Sequence, residues 1–343
     1  MIREMTKVTA EQLATARGCV LGLMLGDAIG ATGGNVPASG PLLATSAGQL
    51  ACFTIDGLIR AHIRGMHKGI SSPPIVVWRS YTRWAAIQGI PGLKVWDEAD
   101  WPNGWLTKVP ALAERRGSAP ATVATLQGQT MGSIDKPAGK SIGAHALTRT
   151  LPVALGRPLD PAAIAALTHG GEALAAARLG VEIVRLVASG EHLDAAVDRV
   201  LPADEERSEG AVRSLALALA AARSRPGQRS ELARLAPDAK AASALAGGLY
   251  VALSFPDRKS IRDALLFAAS ANDGGHVATV AGTLLGTTHG PDALPVDWLS
   301  RLELAWPADT LARDFVTEIE DSPSGGDYVP ATDPHWWSRY PGG

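Results

Sequence analysis

Residues 18–31 read GCVLGLMLGDAIGA, and residues 278–290 read ATVAGTLLGTTHG. In each stretch a small residue recurs at every fourth position, namely Gly18, Gly22, Gly26 and Gly30 in the first and Ala278, Gly282, Gly286 and Gly290 in the second. Residues four apart share one face of an α-helix. Because each helical glycine costs about 1 kcal/mol relative to alanine, two such faces predict helices that pack very closely. Whether they also frame a functional site stays open, although Asp27 and Asp273 lie beside them.

The rest of the chain also has the composition of a helical protein. It is rich in alanine and leucine, 46% hydrophobic and only 5% aromatic. Apolar spacing predicts an all-α fold with helices over Glu11–Ile29, Gln49–Arg64, Pro74–Gln88, Pro161–Leu167, Glu172–Ser189, His192–Leu201, Gly210–Ala222, Ala239–Ser254, Ser260–Ala268, Val277–Gly286 and Thr310–Glu320. The segments Gly89–Gly104 and Gly117–Ser141 are predicted to be long irregular loops, which are often functional. One domain is expected over 1–321, with a linker and an aromatic tail over 322–343 that packs on it.

Several classes of function are disfavoured by the composition. The formal net charge of −2 argues against a broad nucleic-acid surface. No signal peptide and no uninterrupted apolar span are visible, so we expect neither export nor contact with a membrane. The two cysteines, Cys19 and Cys52, lie in apolar runs and are expected to be buried thiols in a reducing compartment. A cytoplasmic monomer is the expectation.

Seven motifs occur in a fixed order along the chain: GCVLGLMLGDAIGA (18–31), TSAGQLACFTIDGLIRA (45–61), YTRWAAIQG (81–89), SIGAHALTR (141–149), LTH (167–169), AGTLLGTTHG (281–290) and WWSRYPGG (336–343). Together they resemble the motifs of the ADP-ribosylglycohydrolases, including the dinitrogenase-reductase-activating glycohydrolases. The resemblance implies an orthogonal bundle of helices. It also implies hydrolysis of a glycosidic bond to ADP-ribose, assisted by two Mg²⁺ ions held by carboxylates.

The chain departs from this family where the metal ligands are expected. The family's Thr-Asp-Asp trio corresponds to Thr45, Ser46 and Ala47, and its glutamate after the first motif corresponds to Gly34. The late Asp-x-Asp-Ser motif corresponds to residues 273–276, of which only Asp273 is a carboxylate. One carboxylate cannot offset the four positive charges of two Mg²⁺ ions. We therefore expect no binuclear metal site and no cofactor. The alternative is a single different ion at Asn272, Asp273 and His276.

The substrate-binding motifs are better preserved. Ser141, Ile142 and Gly143 match the family's loop that contacts the diphosphate of ADP-ribose, and His169 matches a histidine near the phosphates. His145 lies in the same loop, and Thr45 keeps the first position of the ligand trio. The alternatives are a glycine-rich turn before a helix and histidines with structural roles. Arg149, which the family shares, is expected to form an interior ion pair.

Catalysis without the metal ions requires other groups. Hydrolysis of a glycoside needs a base for water and usually an acid for the leaving group. We predict Asp273 as the base and His276 or His145 as the acid, with Asp27 either catalytic or a cap that orients a loop. Two functions remain open. One is a metal-independent hydrolase for the N-glycosidic bond of an ADP-ribosyl or NAD-derived nucleotide, and the other is an inactive protein that binds such a nucleotide.

Overall fold

The all-α architecture is confirmed in a computed structural model that describes residues 7–96, 100–203, 209–327 and 329–341. No β-strand occurs in these ranges. The α-helices are α1 Ala10–Ala31, α2 Ser46–Lys68, α3 Pro73–Ile87, α4 Pro110–Ala113, α5 Pro120–Gln127, α6 His145–Thr148, α7 Pro161–Ala165, α8 Glu172–Ala188, α9 Leu193–Ala203, α10 Glu209–Ser224, α11 Arg229–Leu235, α12 Ala241–Ser254, α13 Ile261–Ala269, α14 Gly274–His289, α15 Val296–Leu299, α16 Ala305–Asp321 and α17 Trp336–Arg339. Short 3₁₀ helices cover Trp105–Lys108, Leu151–Leu155, Arg258–Ser260 and Pro291–Ala293.

Helices α1 and α14 lie antiparallel, with their backbones in direct contact along the two glycine faces. A β-carbon added to Gly18 would lie 2.1 Å from the carbonyl oxygen of Gly286, and one added to Gly22 would lie 2.1 Å from that of Gly282. Further along the pair, a β-carbon on Gly30 would lie 2.5 Å from the carbonyl oxygen of Gly274. The predicted close packing is therefore confirmed. No side chain larger than hydrogen fits at these positions unless the helices separate.

This central pair is enclosed by other helices of the bundle. Helices α12, α13 and α16 pack around it, and α2 packs on α3 and α16. Of the described helices, α1 alone has the length and apolar composition of a membrane-spanning segment, but 78% of its most apolar stretch is buried inside this protein. Both cysteines are buried, as predicted. Burial raises the pKa of each thiol to about 12.

Two connecting segments contain helices that were not predicted from the sequence. Residues 117–141 are not wholly irregular, because Pro120–Gln127 forms α5 with proline at its first position. The turn after α10 contains a second unpredicted helix, α11. These helices, like the four-residue helices α4, α6, α15 and α17, are too short for a repeat of apolar residues to reveal them.

The C-terminal segment is held against α2 and α16. Ser324 is fully buried, and its hydroxyl donates to Glu318 Oε1 over 2.7 Å. The Tyr340 hydroxyl donates to Asp314 Oδ2 over 2.6 Å, and the Arg60 guanidinium donates to the carbonyl of Pro341. The ends of the YPGG motif, Gly342 and Gly343, lie outside the described residues.

The glycine contact between α1 and α14 predicts the effect of one methyl group. Gly22→Ala places a β-carbon 2.1 Å from a backbone oxygen of the partner helix, and we expect it to lower the free energy of unfolding by about 3 kcal/mol. Gly65→Ala in α2 is the matched control, because its β-carbon meets nothing closer than 3.7 Å and gains helix propensity of about 1 kcal/mol. Urea denaturation measures both. Equal effects of the two substitutions would contradict the contact.

Candidate active site

The candidate site lies at one end of the central helix pair, where four segments of the chain meet. These segments are the last turn of α1, the first turn of α2, residues 141–145 and residues 272–276. Residues 237–240 join the last two, since Asn272 Nδ2 donates to the Pro237 carbonyl over 3.1 Å and Lys240 forms an antiparallel bridge with Gly143. The antiparallel arrangement of α1 and α14 thus brings residues from distant parts of the chain to one end of the bundle.

Asp27 is a buried carboxylate at the end of α1 that fixes the start of α2. Its Oδ1 accepts the Thr45 hydroxyl and its Oδ2 accepts the Thr45 amide, both over 2.6 Å, and Oδ2 also accepts the Gly48 amide over 3.2 Å. Thr45 is the N-cap of α2, and its hydroxyl accepts from the Ala47 amide. Burial raises the pKa of the Asp27 carboxyl, while the Thr45 hydrogen bonds and the charge of His276 oppose the rise.

Two imidazoles face each other next to α2. The rings of His145 and His276 meet edge to face with their centroids 4.5 Å apart. Nε2 of His145 lies 3.1 Å from the Ser46 hydroxyl. Burial, followed by the charges of His276, His169 and Arg149, holds the pKa of His145 well below its usual value. His145 is therefore neutral at pH 7.

The Nδ1 nitrogen of His276 has a hydrogen-bond partner in α6. Its Nδ1 lies 3.2 Å from the Thr148 hydroxyl. The same hydroxyl also lies 3.3 Å from the Ala144 carbonyl, to which it can donate.

Residues 141–143 form a half-buried turn that is held by hydrogen bonds to neighbouring segments. The Ser141 hydroxyl accepts the Gly143 amide over 3.3 Å, and the Ser141 carbonyl accepts the Gly170 amide over 2.9 Å. The Ile142 carbonyl accepts the Ala241 amide. A β-carbon on Gly143 would lie 3.3 Å from the Ser141 hydroxyl and 3.7 Å from Nε2 of His169. Ser141, Gly143 and His169 are therefore neighbours.

Arg149 lies in the protein interior next to this loop. The ion pair predicted for it from the sequence is wrong. Among the described residues it forms no ion pair. It donates to the hydroxyls of Thr122 (2.9 Å) and Thr168 (2.7 Å), and it lies 4.7 Å from the ring centre of Tyr81. Hydroxyl groups from two segments distant in sequence thus take the place of a carboxylate.

His169 lies beside the same contacts. The Thr168 hydroxyl accepts from Arg149 and lies 2.8 Å from Nδ1 of His169. The other ring nitrogen, Nε2, is the one near Gly143. Burial, and then the charge of Arg149, lowers the pKa of His169 to about 3.

Asp273 is the carboxylate at the start of α14. It is the N-cap residue of that helix, yet its side chain makes no capping hydrogen bond. Its Oδ2 is buried and accepts no hydrogen bond from the described residues. Burial raises the pKa of Asp273, His276 opposes the rise, and Asp238 adds to it. The carboxylate therefore has acceptor capacity that the protein does not use.

The family model for the ADP-ribosylglycohydrolases matches residues 9–324. The chain belongs to the ADP-ribosylglycohydrolase family. A solved structure described as an "ADP-ribosylglycohydrolase-related protein complex" has 19% sequence identity and a TM-score of 0.59, over 90% of this chain and 99% of that one. At this identity the likeness concerns the fold alone. No curated protein matches the chain.

The two Mg²⁺ ions implied by the family resemblance do not suit the donors present. Asp27 is occupied by Thr45 and Gly48, and the Thr45 hydroxyl both donates to Asp27 and accepts from Ala47. Ser46 faces an imidazole, and Asp273 is the remaining carboxylate of the late motif. Within the described ranges, no three His, Cys, Asp or Glu residues are grouped to hold a metal ion. Magnesium favours several anionic oxygen ligands, which this arrangement does not supply.

All nine candidate site residues predicted from the sequence lie in or next to this cluster. They are Asp27, Thr45, Ser141, Ile142, Gly143, His145, His169, Asp273 and His276. Ser46 and Thr148 were not predicted, because each lies far in the chain from the histidine it contacts, 99 residues from His145 and 128 from His276. Thr168, next to His169 in the chain, was not predicted either. Sequence reasoning also missed Glu303, which accepts the Ala44 amide through Oε1 and pairs with Arg116 through Oε2.

The buried His169 predicts a dependence of stability on pH. Its pKa is about 3 in the folded protein and about 6.5 in the unfolded chain. The unfolded state therefore binds the proton more tightly, and stability falls as the pH drops from 6.5 towards 3. We expect His169→Gln to make this fall shallower in urea denaturation.

The control for this measurement is His335→Gln, which removes an exposed imidazole from the C-terminal segment. Buried acids such as Asp27 have raised pKa values and act in the opposite direction. The difference between wild type and variant removes their contribution. Parallel curves for wild type and His169→Gln would refute the neutral, buried state of His169.

Proposed function

We propose that this family member hydrolyses the N-glycosidic bond of an ADP-ribosyl or NAD-derived nucleotide without a binuclear magnesium centre. Membership of the ADP-ribosylglycohydrolase family supports a hydrolase. The observation that carries the finer proposal is the Asp273 carboxylate, which has an unused buried oxygen beside a loop of phosphate-binding type. The proposal assigns the diphosphate to that loop and the scissile bond to the region of Asp273 and His276.

The loop offers suitable donors for a diphosphate. The Ser141 hydroxyl and Nε2 of His169 lie together beside Gly143, and each can donate to a phosphate oxygen, Nε2 in the tautomer that carries its proton there. Arg149 adds positive charge behind His169 without being exposed. Lys240, whose backbone pairs with Gly143, adds a solvent-exposed cation at the rim. Such a set favours an anion without requiring a metal ion.

Asp273 is the proposed general base. Its carboxylate is half-buried, its Oδ2 accepts no hydrogen bond from the described residues, and desolvation raises its pKa. A carboxylate with a raised pKa takes a proton from water more readily than an ordinary one. The substrate's glycosidic carbon would lie near the start of α14, with water between it and Asp273.

Asp27 is proposed as a positioning residue. Both of its oxygens are engaged by Thr45 and Gly48, which hold the first turn of α2. That turn presents Ser46 to His145. Asp27 thereby determines where the His145 and His276 rings lie, and it does not itself require contact with substrate.

The second candidate function is nucleotide binding without turnover. A specific observation favours it, because burial holds the pKa of His145 well below its ordinary value, so this imidazole is a poor proton donor at pH 7. The proposed binding loop is the same in either case, so the two functions differ in product formation.

Removal of the proposed base separates these functions. We expect Asp273→Asn to lower turnover of NAD or an ADP-ribosylated peptide by about 100-fold or more, with unchanged binding of ADP-ribose by calorimetry. Asp292→Asn, an exposed carboxylate beyond the other end of α14, is the matched control and should leave turnover unchanged. Each assay is run with and without EDTA.

The outcomes are distinct. Turnover that survives EDTA and is lost in Asp273→Asn supports the hydrolase. Binding by the wild type with no product from either substrate overturns it in favour of the binding protein. Turnover that requires Mg²⁺ contradicts the argument from the donor set.

The loop is tested by affinity. Ser141→Ala removes one proposed phosphate donor, and we expect it to weaken ADP-ribose binding about 10-fold, as measured by calorimetry. Ser133→Ala, on an exposed part of the preceding loop, is the control. Equal affinities of wild type and Ser141→Ala would remove Ser141 from the binding site.

A further inference from the structure

We propose that a second cavity, far along α2 from the candidate active site, binds a small monocarboxylate with an apolar body. The cavity has a volume of about 270 Å³ and lies between α2, α16 and the segment that includes the 3₁₀ helix Leu151–Leu155. The part of α2 that lines it includes His62, whereas the candidate active site lies at Ser46 in the first turn. Sixteen residues separate these two, a distance of about 24 Å along an α-helix. The cavity is therefore a separate site.

The walls of this cavity are apolar. They include Leu58 and Met66 on α2, Val153, and Phe315 and Ile319 on α16. Leu58, Val153 and Phe315 belong to the buried core, so this part of the wall is fixed by packing. Because a water molecule in the liquid takes up about 30 Å³, the cavity has room for about ten non-hydrogen atoms. A single ring or a short chain fits, and its transfer from water to these walls is favourable.

Arg157 supplies a positive charge at the mouth of the cavity. Its side chain borders the cavity and is exposed, and it pairs with no carboxylate among the described residues. Its Nε donates to Nε2 of His62 over 3.1 Å. This contact orients the guanidinium and leaves its two terminal nitrogens without a hydrogen-bond partner in the part of the chain that the structure describes. Two terminal nitrogens in one plane match the two oxygens of a carboxylate.

His62 is held in place by a buried acid behind it. Because arginine can only donate, Nε2 of His62 accepts, and the proton of the neutral imidazole is on Nδ1. Nδ1 lies 3.0 Å from Oε1 of Glu318, to which it donates. Glu318 is fully buried and also accepts the Ser324 hydroxyl over 2.7 Å. The negative charge of Glu318 is thus behind the imidazole, and the charge that borders the cavity is that of Arg157.

Charge and size together select the ligand class. An amine would meet the like charge of Arg157, and a neutral apolar molecule would leave the guanidinium unused. A nucleotide has many more than the ten or so non-hydrogen atoms that fit. A monocarboxylate places its apolar body against the walls and its head group on the terminal nitrogens of Arg157.

Methionine methyl groups provide a reporter at each site. Met66 lines the cavity, and Met24 lies at the candidate active site, because a β-carbon on Gly48 would be 3.0 Å from Sδ of Met24 and 2.7 Å from Oδ2 of Asp27. The full chain, isotope-labelled at its methionine methyl groups, is titrated with phenylacetate and followed by NMR. We expect the Met66 resonance, assigned with Met66→Leu, to shift in a saturable manner while that of Met24 stays unchanged.

The role of the charge is tested with a matched neutral ligand and with arginine variants. We expect phenylacetamide to bind about 10-fold more weakly than phenylacetate, and Arg157→Gln to weaken phenylacetate about 10-fold while the amide is unaffected. Arg157→Lys keeps the charge without the paired nitrogens and should fall between the two. Arg199→Gln removes an exposed arginine that borders a neighbouring cavity, and as the matched control it should leave both affinities unchanged.

The cavity itself is tested by filling it. Gly65 borders it and has room for a β-carbon, so Gly65→Leu should abolish binding of both ligands while helix propensity maintains α2. Three results overturn the proposal: no saturable shift of Met66 at millimolar phenylacetate, equal affinities for the acid and the amide, or equal losses in Arg157→Gln and Arg199→Gln. A shift of Met24 without one of Met66 places the ligand at the candidate active site and also overturns it. None of these results bears on the proposed hydrolase.

Discussion

The contact of α1 with α14, backbone against backbone, determines the positions of all other parts of the site. Gly18, Gly22 and Gly26 meet Gly286, Gly282 and Ala278 at distances that exclude a β-carbon. The cost of glycine in a helix, about 1 kcal/mol at each position, is offset by the dispersion and burial that such an approach permits. Because the pair is antiparallel, Asp27 at the end of α1 and His276 at the start of α14 lie at the same end. The glycine faces therefore fix the distance across the site as well as the core.

Burial changes the chemistry of the side chains collected there. His145 and His169 lie close to the Arg149 guanidinium, and both have pKa values well below the ordinary one. The carboxyls of Asp27 and Asp273 have raised pKa values for the same reason, since desolvation disfavours the charged form. Desolvation thus disfavours the charged forms of acids and bases alike, and the site is weakly charged overall.

The fold and the residues of the site could be predicted from the sequence, but the hydrogen-bond partners of those residues could not. The long helices were predictable because alanine, leucine and glycine recur with helical spacing, as in α1 and α8. Helix α5 was missed because eight residues within a segment rich in proline and glycine give no clear periodicity. The ion pair predicted for Arg149 was wrong, since its partners are hydroxyls of Thr122 and Thr168. Ser46 and His145 are 99 residues apart in the chain, and no local pattern connects them.

The departures from the family's metal-binding pattern are consistent with one another in electrostatic terms. The resemblance implies carboxylates whose negative charges balance two Mg²⁺ ions. At the corresponding positions this chain has Ser46, Ala47, Gly275 and His276, so the negative ligands are lost together. Carboxylates retained without metal ions would repel one another. Metal ions bound without carboxylates would lose their hydration with no negative charge to compensate for it. Hydroxyl and neutral imidazole groups can fill the same space with hydrogen bonds and no net charge. In that setting Asp273, the proposed base, keeps one carboxylate oxygen without a hydrogen-bond partner among the described residues.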